Sequence, residues 1–422
     1  RCKWISYMPL PELRVDTSRM LADFNDLAFI GATEQGGVSR LALSNEDLQA
    51  RAWLADRFMD AGLTVQDDDA GNLSGILAAN EPKARTLLIG GHLDSVPNGG
   101  RYDCSLGLVT ALEAVRTISE AGLKLPINLE IINFTDEEGC WQSLFGSRAL
   151  TGVFSYSING DEERDEGPFR AALFRAGIHP GDIYRARRDP ATIAGYLELH
   201  IEQGPILEAE GKDVGVVTHG QGLRWIQCTV TGKGQHTGST PMRMRRNAGR
   251  GLAQITELVH EIAMKHQPNA VGAIGHIDVY PNSRNIIPEK VVFTVDFRSH
   301  VLETLEDMVA EFLETAPGLC ADIGLKFSAD SAGQFDPPAF DETLLDRIRG
   351  AADRLGYSHM NIVSGAGHDA CWINRVAPTA MIMCPCVDGL SHNEAEEISK
   401  DWAAAGTDVL LHAVLETAEI VD

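Results

Sequence analysis

Apolar runs and amphipathic segments alternate along the first half of the chain. The run LLIGGH (87–92) is apolar up to its last residue and INLEIINF (127–134) is mostly apolar, which is typical of strands buried on both faces. Between them, LGLVTALEAVRTISEAG (106–122) has the pattern of a helix, and two amphipathic helices are predicted earlier, over 17–35 and 45–62. A strand, a helix and a second buried strand predict a parallel βαβ unit, and therefore an α/β fold.

A different order of elements begins after Gly222. Four strand patterns and two helical patterns follow, in the order RWIQCTVTG (224–232), helix 247–267, GAIGHIDVY (272–280), KVVFTVDFRS (290–299), helix 304–316 and LKFSAD (325–330). The order βαββαβ is that of a ferredoxin-like α+β sandwich. After it the α/β pattern resumes with a helix, the strand TAMIMCPC and a last helix. We therefore predict an inserted domain over 222–333 between two parts of one larger domain, 1–221 and 334–422.

The composition narrows the choice of partners. The chain of 422 residues has 36 Lys and Arg against 60 Asp and Glu, a net charge of −24, which argues against a nucleic-acid partner or an anionic membrane. A small anionic substrate remains possible, because a local basic pocket can outweigh the global charge. The eight cysteines are scattered, and neither a signal-peptide pattern nor a membrane-spanning apolar run is found. These features predict a cytoplasmic protein without a membrane partner.

Histidines and carboxylates gather where the predicted strands end. They are His92, Asp94, Asp103, Asp136, Glu137, Glu138, His200, Glu202 and His392. The carboxyl ends of parallel strands meet at one edge of a sheet, which is where open α/β folds place their sites. Imidazole and carboxylate ligands without cysteine suit Zn, Mn, Co or Ni. Any one such histidine could instead be a hydrogen-bonded structural residue, but several clusters at one edge favour a metal centre.

Glu137 and Glu138 are adjacent at the end of the second buried strand. On an extended or turning segment their side chains diverge, so that one can bind metal while the other faces the attacking water. A ligand and a general base within reach of the nucleophile are what metal-assisted hydrolysis needs. Taken alone, without the histidines, the pair is more typical of a solvated turn.

Seven motifs, in order, make the chain resemble a known group of enzymes. They are GGHLDSVPNGGRYD, TDEEG…FGSRALTG, ELHIEQGPILE, GKGQHTGSTPM, RNIIPEKVVFTVDFRS, SGAGHDA and GLSHNEAE. The set resembles the hydantoinase/carbamoylase branch of the di-metal aminoacylase and carboxypeptidase superfamily. The resemblance implies a mixed-sheet catalytic domain with the ferredoxin-like insert as a lid and dimerisation domain.

The resemblance also implies a ligand set. His92, Asp103 and His200 would hold one divalent ion, and Asp103, Glu138 and His392 the other, so that Asp103 bridges two ions of Zn, Mn, Co or Ni in each subunit. Glu137 would be the general base. Asp94 would orient His92 from behind, as a metal-bound imidazole generally requires.

The expected substrate contacts are spread over both domains. The resemblance implies Gln203, His236, Asn285 and Arg298. His236, in the glycine-flanked loop GKGQHTG, is suited to stabilise the oxyanion, and Gly367 in a glycine-rich loop allows close approach of the substrate. A bidentate arginine suits a carboxylate, and the two amides suit a carbamoyl or amide group. The alternatives are a lid salt bridge for Arg298, with Asp296 or Glu289 as its partner, and a surface loop for His236. In relatives, some lid residues serve the site of the neighbouring subunit, which implies a homodimer formed through the lid. A closing motion of the lid would bring its residues over the metals.

The SGAGHDA motif offers another constellation. Ser364, His368 and Asp369 suggest a hydrolytic triad, but an adjacent histidine and aspartate do not give its geometry. We interpret the motif as a loop beside the site. Cys104 is a departure from relatives, which usually have glycine there. We predict that Cys104 is not a ligand, that the Asp103–Cys104 bond is cis as in relatives, and that its thiol makes the site sensitive to oxidation.

The predicted activity is hydrolysis of the linear amide C–N bond of N-carbamoyl-L-amino acids or related ureido acids by a binuclear metal centre. Allantoate or ureidoglycolate hydrolysis is an alternative within the same branch. An aminoacylase or dipeptidase on the same scaffold is a second alternative, and a non-catalytic binding or assembly protein is a third.

Overall fold

Strands and helices alternate through the described part of the computed structural model, residues 12–103, 105–154 and 166–419. The strands are β1 Thr64–Asp67, β2 Leu73–Leu77, β3 Thr86–His92, β4 Asn128–Phe134, β5 Ile193–Ile201, β6 Val214–Gly220, β7 Gly222–Thr231, β8 Ala270–Tyr280, β9 Lys290–Ser299, β10 Lys326–Phe335, β11 His359–Ser364 and β12 Thr379–Cys384. The helices are α1 Thr17–Ala28, α2 Asn45–Asp60, α3 Ser105–Glu120, α4 Phe145–Leu150, α5 Glu166–Arg175, α6 Ile206–Ala209, α7 Ala248–Lys265, α8 Leu302–Asp322, α9 Glu342–Leu355, α10 Asp369–Ile373 and α11 Lys400–Thr417.

The chain forms two compact units. The second unit is His219–Ala339, and the first comprises the described residues before and after it. The first unit contains an eight-stranded sheet in the order β1-β2-β4-β3-β5-β12-β6-β11. Its central strands β4, β3, β5 and β12 are parallel neighbours, whereas β2 pairs antiparallel with β4 and β6 pairs antiparallel with β12. The predicted α/β fold with a mixed sheet is confirmed.

The central strands are nearly continuous apolar runs because both faces of the sheet are covered. Every residue of β3 after Thr86 is buried, and β12 is buried along its whole length. Helix α3 is buried on almost all sides, and it packs with α11. Burial on both faces is what the apolar runs predict for parallel strands.

The second unit is a four-stranded antiparallel sheet in the order β10-β7-β9-β8. Its elements follow the chain order β7-α7-β8-β9-α8-β10, and the predicted insert 222–333 lies within its range. Strand β7 alternates buried and more exposed residues, because one face packs against helices. The core between this face and the helices includes Ile255, Phe293, Phe297 and Phe312.

Several elements differ from the sequence predictions. Helix α1 ends at Ala28 rather than at residue 35, since Gly31 follows in the left-handed region with φ +82°. Strands β1, β2 and β11 are only four to six residues long, too short for a recognisable pattern. Cys104 lies outside the described residues, so the expectations for it stay predictions. None of the helices in the described ranges is long and apolar enough to span a membrane.

Candidate metal centre

The expected ligands lie at the carboxyl ends of the central parallel strands. His92 is the last residue of β3, and His200 is the last but one of β5. Glu138 follows β4, His392 follows β12, and Asp103 precedes α3. The parallel order β4-β3-β5-β12 brings these positions to one edge of the sheet.

The five residues form two groups that share Asp103. One group is His92, Asp103 and His200, the other is Asp103, Glu138 and His392, and within each group the candidate ligand atoms lie within 4.8 Å of one another. Asp103 Oδ1 is 3.1 Å from His200 Nε2, and Asp103 Oδ2 is 3.2 Å from His392 Nε2. Each oxygen of Asp103 therefore faces a different group, as a carboxylate that bridges two cations must do.

The two groups differ in exposure. His92, Asp103 and His200 are all buried, whereas the side chain of His392 is 51% exposed. Burial and the charge of Asp103 raise the pKa of Glu138 to about 7. Burial opposes ionisation of Asp103, but the neighbouring imidazoles of His200 and His392 lower its pKa well below the ordinary value.

The hydrogen bonds of the imidazoles fit a cation. His92 Nδ1 lies 3.0 Å from the Asp94 carbonyl oxygen, and His200 Nδ1 lies 2.8 Å from the Ile201 carbonyl oxygen. A carbonyl can only accept, so each Nδ1 carries a proton and a neutral ring presents its Nε2 lone pair to the cluster. The lone pair of His200 then faces a carboxylate oxygen, an arrangement that a divalent cation between them stabilises. In addition, Glu138 Oε1 is buried and has no hydrogen-bond partner among the described residues.

Glu137 lies beside these groups without belonging to either. It is buried, and its Oε2 is 3.4 Å from His92 Nε2. Burial raises the pKa of Glu137 well above the ordinary value. A buried carboxyl group with a raised pKa next to a metal centre suits proton transfer during catalysis.

Asp94 supports both the first histidine and the glutamate pair. Its carboxylate accepts hydrogen bonds from the backbone N–H groups of Glu137, at 3.4 Å, and Glu138, at 3.1 Å. The carboxylate is 3.6 Å from His92 Nδ1, whereas the Asp94 carbonyl is at hydrogen-bond distance. The expected support of His92 by Asp94 thus involves the backbone carbonyl, while the carboxylate holds the segment that carries Glu137.

Gln203 is brought into the ligand cluster. Its Nε2 donates to Asp103 Oδ2 at 3.1 Å and to Ser391 Oγ at 3.2 Å. Its Oε1 is buried and has no partner among the residues that the structure describes, which leaves it able to accept a hydrogen bond. Gly367 is exposed, and a Cβ added there would make only an ordinary contact with Leu144 at 3.7 Å, so packing alone does not require glycine.

Comparison with known proteins identifies the family. A model described as peptidase family M20/M25/M40 matches residues 88–416. The chain belongs to this family. An N-carbamoyl-L-amino-acid amidohydrolase from Rhizobium meliloti is 47% identical over 97% of this chain and 98% of its own length. An allantoate amidohydrolase from Bacillus subtilis is 32% identical over 93% of this chain and 95% of its own length.

A solved structure confirms the predicted branch of the family. An amidase of the hydantoinase/carbamoylase family from Burkholderia multivorans has a TM-score of 0.88 and 40% identity, over 97% of this chain and 99% of that one. The M20 family comprises di-metal hydrolases, in keeping with the two ligand groups that share Asp103.

The other residues expected from the family resemblance lie in the second unit. His236 is exposed, and its Nδ1 accepts from the backbone N–H groups of Gly238, at 3.1 Å, and Ser239, at 3.2 Å. The proton of the neutral ring is therefore on Nε2, which becomes a donor. Asn285 lies on the adjoining loop, where its carbonyl accepts from Thr237 N–H at 3.0 Å.

Arg298 is engaged by a neighbouring carboxylate. Its Nη2 lies 2.8 Å from Asp296 Oδ2, so the salt bridge considered as an alternative is present. Both side chains are partly exposed, at 33% and 26%. An arginine held in this way keeps a defined orientation, and the pair is compatible with either a structural or a substrate-binding role.

The SGAGHDA loop lies beside the site, as predicted, but the sequence did not reveal the polar network that it forms with Glu198 behind His200. Ser364 Oγ is 2.6 Å from His368 Nε2, and His368 Nδ1 is 3.8 Å from Glu198 Oε1. The ring of His368 packs edge-on against that of His200, with centroids 4.6 Å apart. Ser364, His368 and Glu198 are at most 2% exposed, so this serine is poorly placed to act as a nucleophile. Glu198 stands in the ELHIEQG motif two residues before His200, which is the signal that could have located it.

Proposed function

We propose that this chain is a metal-dependent amidohydrolase that cleaves the linear amide C–N bond of N-carbamoyl-L-amino acids or related ureido acids. The observation that carries the proposal is the sharing of Asp103 by two histidine and carboxylate groups, with the buried carboxyl group of Glu137 beside them. The names of the relatives support this substrate class, since the 47% identical protein is an N-carbamoyl-L-amino-acid amidohydrolase.

The five ligands suit Zn, Mn, Co or Ni, because they combine imidazole and carboxylate donors without thiolate. Two such ions, once bound, act as Lewis acids that polarise the scissile carbonyl and make water more acidic. Glu137 accepts the proton of the attacking water and returns it to the leaving nitrogen. Asp94 keeps Glu137 in place through its backbone N–H. An N-carbamoyl amino acid and water then give the amino acid, carbon dioxide and ammonia.

Substrate recognition is assigned to side chains with matching hydrogen-bond groups. We propose that Gln203 Oε1 accepts from a ureido N–H, since this buried oxygen has no partner among the described residues. Arg298 binds the substrate carboxylate, and Asn285 binds an amide-like group. His236 Nε2–H donates to the oxyanion, which is consistent with its tautomer. Gly367 lies beside the bound substrate.

We also propose a homodimer formed through the second unit. Strand β8 is at one edge of its sheet and is eleven residues long. It exposes apolar side chains at Val271, Ile277 and Tyr280. A long exposed edge strand is a template for pairing with another chain, and this supports the assignment. Sedimentation should give a dimer for the native chain and a monomer for a variant with Ile277→Lys. A cytoplasmic location stays a prediction.

The test of the activity is a substrate panel. Chelator-treated protein is loaded separately with Mn, Co, Ni or Zn, and release of ammonia and amino acid is measured. The substrates are N-carbamoyl-L-amino acids, allantoate, ureidoglycolate, N-acetyl amino acids and dipeptides, and the metal-free preparation is the control. We expect the highest kcat/KM with an N-carbamoyl-L-amino acid. Preferred cleavage of N-acetyl amino acids or dipeptides would contradict the proposed substrate class, and failure to bind metal would favour a non-catalytic role.

A further inference from the structure

Two loops that carry candidate ligands meet at one buried carboxylate. The first, here called the Asp103 loop, is residues 93–103, and the second, the His392 loop, is residues 385–399. Glu396 belongs to the His392 loop, is only 2% exposed, and is four residues beyond His392. It belongs to neither ligand group, so its burial is not explained by metal binding.

The carboxylate of Glu396 binds both loops. Its Oε1 accepts from the backbone N–H groups of Tyr102, at 2.8 Å, and Asp103, at 2.9 Å. Its Oε2 accepts from Ser391 Oγ at 3.0 Å. Ser391 immediately precedes His392, so one side chain is bonded to Asp103 itself and to the neighbour of His392. Backbone N–H bonds to a carboxylate are among the stronger hydrogen bonds in proteins.

The Asp103 loop is shaped to admit this carboxylate. A Cβ built on Gly100 would lie only 2.0 Å from Glu396 Cδ and 2.1 Å from its Oε1. Any side chain at position 100 would therefore displace Glu396 from its place. The close approach is an observation independent of the hydrogen bonds, and it indicates that the two loops are built around Glu396.

The two ligand groups depend on these loops to different extents. In the group of His92, Asp103 and His200, only the shared Asp103 lies on a loop, because the sheet holds both histidines in strands β3 and β5. In the other group, Asp103 and His392 both lie on loops, and His392 is half exposed. Loss of the hydrogen bonds that connect the two loops should therefore disturb the second group more than the first.

We propose that Glu396 is a positioning residue that joins the Asp103 loop to the His392 loop and so sets the geometry of the Asp103–Glu138–His392 group. Glu396 touches neither metal nor substrate in this role. The inference rests on the proposed function, because both require two bound ions. It concerns the relative metal affinity of the two ligand groups and not the reaction.

Glu397 provides a matched control. It is the next residue, its side chain is 49% exposed, and its carboxylate binds Tyr102 Oη at 2.6 Å and Arg101 Nη2 at 3.1 Å. Glu397 thus links the same two loops through side chains on the surface, without a bond to the Asp103 backbone. Glu397→Gln removes the same charge from the same loop.

The experiment is a titration of metal-free full-length protein with Co²⁺, followed by equilibrium dialysis with metal analysis and by visible absorption. The first position is the ion site of the His92, Asp103 and His200 group, and the second position is that of the Asp103, Glu138 and His392 group. A His392→Ala variant identifies which part of the Co²⁺ absorption comes from the second position. We expect Glu396→Ala to weaken that position about 10- to 100-fold, the range for residues that orient metal ligands. The first position should be weakened less, because Asp103 is its only ligand on a loop. Glu396→Gln should weaken it less, because its amide oxygen can still accept from the backbone. Glu397→Gln should bind like the native protein.

Each outcome decides the proposal. Selective weakening of the second position by Glu396→Ala, or by Glu396→Gln if the alanine variant does not fold, supports it. Equal weakening of both positions, or native affinity in a folded Glu396 variant, overturns it. The same loss in Glu397→Gln also overturns it, since a general effect of charge would then suffice. Native protein that binds fewer than two ions would contradict the proposed function, and this inference would fall with it.

Discussion

Replacing Glu137 by glutamine separates proton transfer from metal binding. Glutamine has nearly the same shape as glutamate but cannot accept a proton at neutral pH. The backbone N–H of residue 137 can still donate to Asp94, so the loop should keep its conformation. Glu137 is also outside both ligand groups, and we therefore expect the variant to bind two ions.

The expected loss follows from the role of a general base. Such groups contribute about 10²- to 10⁴-fold to the rate, or about 3–5 kcal/mol in the activation barrier. The buried position of Glu137 excludes most competing water, because the residue is only 8% exposed. We therefore expect kcat to fall by about 10²- to 10⁴-fold, with little change in KM.

Glu138→Gln is the matched control, since it makes the same chemical change one residue further on. It removes a ligand of the second group, so its defect should be a lower metal affinity that added metal partly restores. The assay compares turnover of an N-carbamoyl-L-amino acid over a range of metal concentrations, together with bound metal. A Glu137→Gln enzyme with nearly native kcat, or one whose activity returns with added metal, would refute the assignment of the base.

Three further predictions follow from the described contacts. Arg298→Lys should raise KM for carboxylate substrates about 10- to 100-fold through loss of bidentate binding, and a substrate with an amidated carboxylate should show no such change. Metal-free protein should melt at a lower temperature as the pH rises from about 4.5 to about 7. Burial raises the pKa of Glu138 to about 7, and an acid with a raised folded-state pKa loses its stabilising contribution as it ionises. A melting temperature that does not change with pH would contradict this prediction, and bound metal should remove the dependence. Phe312→Ala should destabilise the second unit by about 3–5 kcal/mol in urea unfolding, since Phe312 is fully buried, while Co²⁺ affinity stays unchanged.

The position of the site could be predicted from the sequence because it depends on the order of strands. Apolar runs mark β3 and β4 as parallel strands, and their polar ends must then meet at one edge of the sheet. The same reasoning places His92 near Glu138 although they are far apart in sequence. The resemblance to relatives then supplied the separation into two groups around Asp103, which spacing alone does not give.

Contacts between distant loops could not be predicted in this way. Glu396 accepts from Asp103 N–H across 293 positions of the chain, and no local pattern indicates such a bond. The role of Asp94 was also only partly foreseen, because a sequence does not show whether a carbonyl or a carboxylate faces His92. Short strands such as β1 were not predicted for a different reason, since four residues carry too little periodicity.

Backbone conformation explains why local sequence patterns also fail to predict the structure at the edge of the sheet. Asp136, Gln203 and His392 all have positive φ, at +55°, +57° and +52°. A non-glycine residue in this region costs about 1–2 kcal/mol relative to the right-handed one. Asp136 and Gln203 come just after the ends of β4 and β5, and His392 lies within the loop that follows β12.

The surrounding contacts offset this cost. The Asp136 carboxylate accepts from the backbone N–H groups of Trp141, at 3.1 Å, and Gln142, at 2.6 Å, which closes the loop that carries Glu137. At Gln203, the turn is accompanied by the hydrogen bond from its amide to Asp103. Strain that the surrounding structure must balance tends to be retained where a side chain must have a particular direction. These three left-handed residues lie beside or within the candidate site and work against the local preferences of the chain, whereas others, such as Lys83 and Glu419, lie elsewhere, so the ligand geometry and not positive φ locates the site.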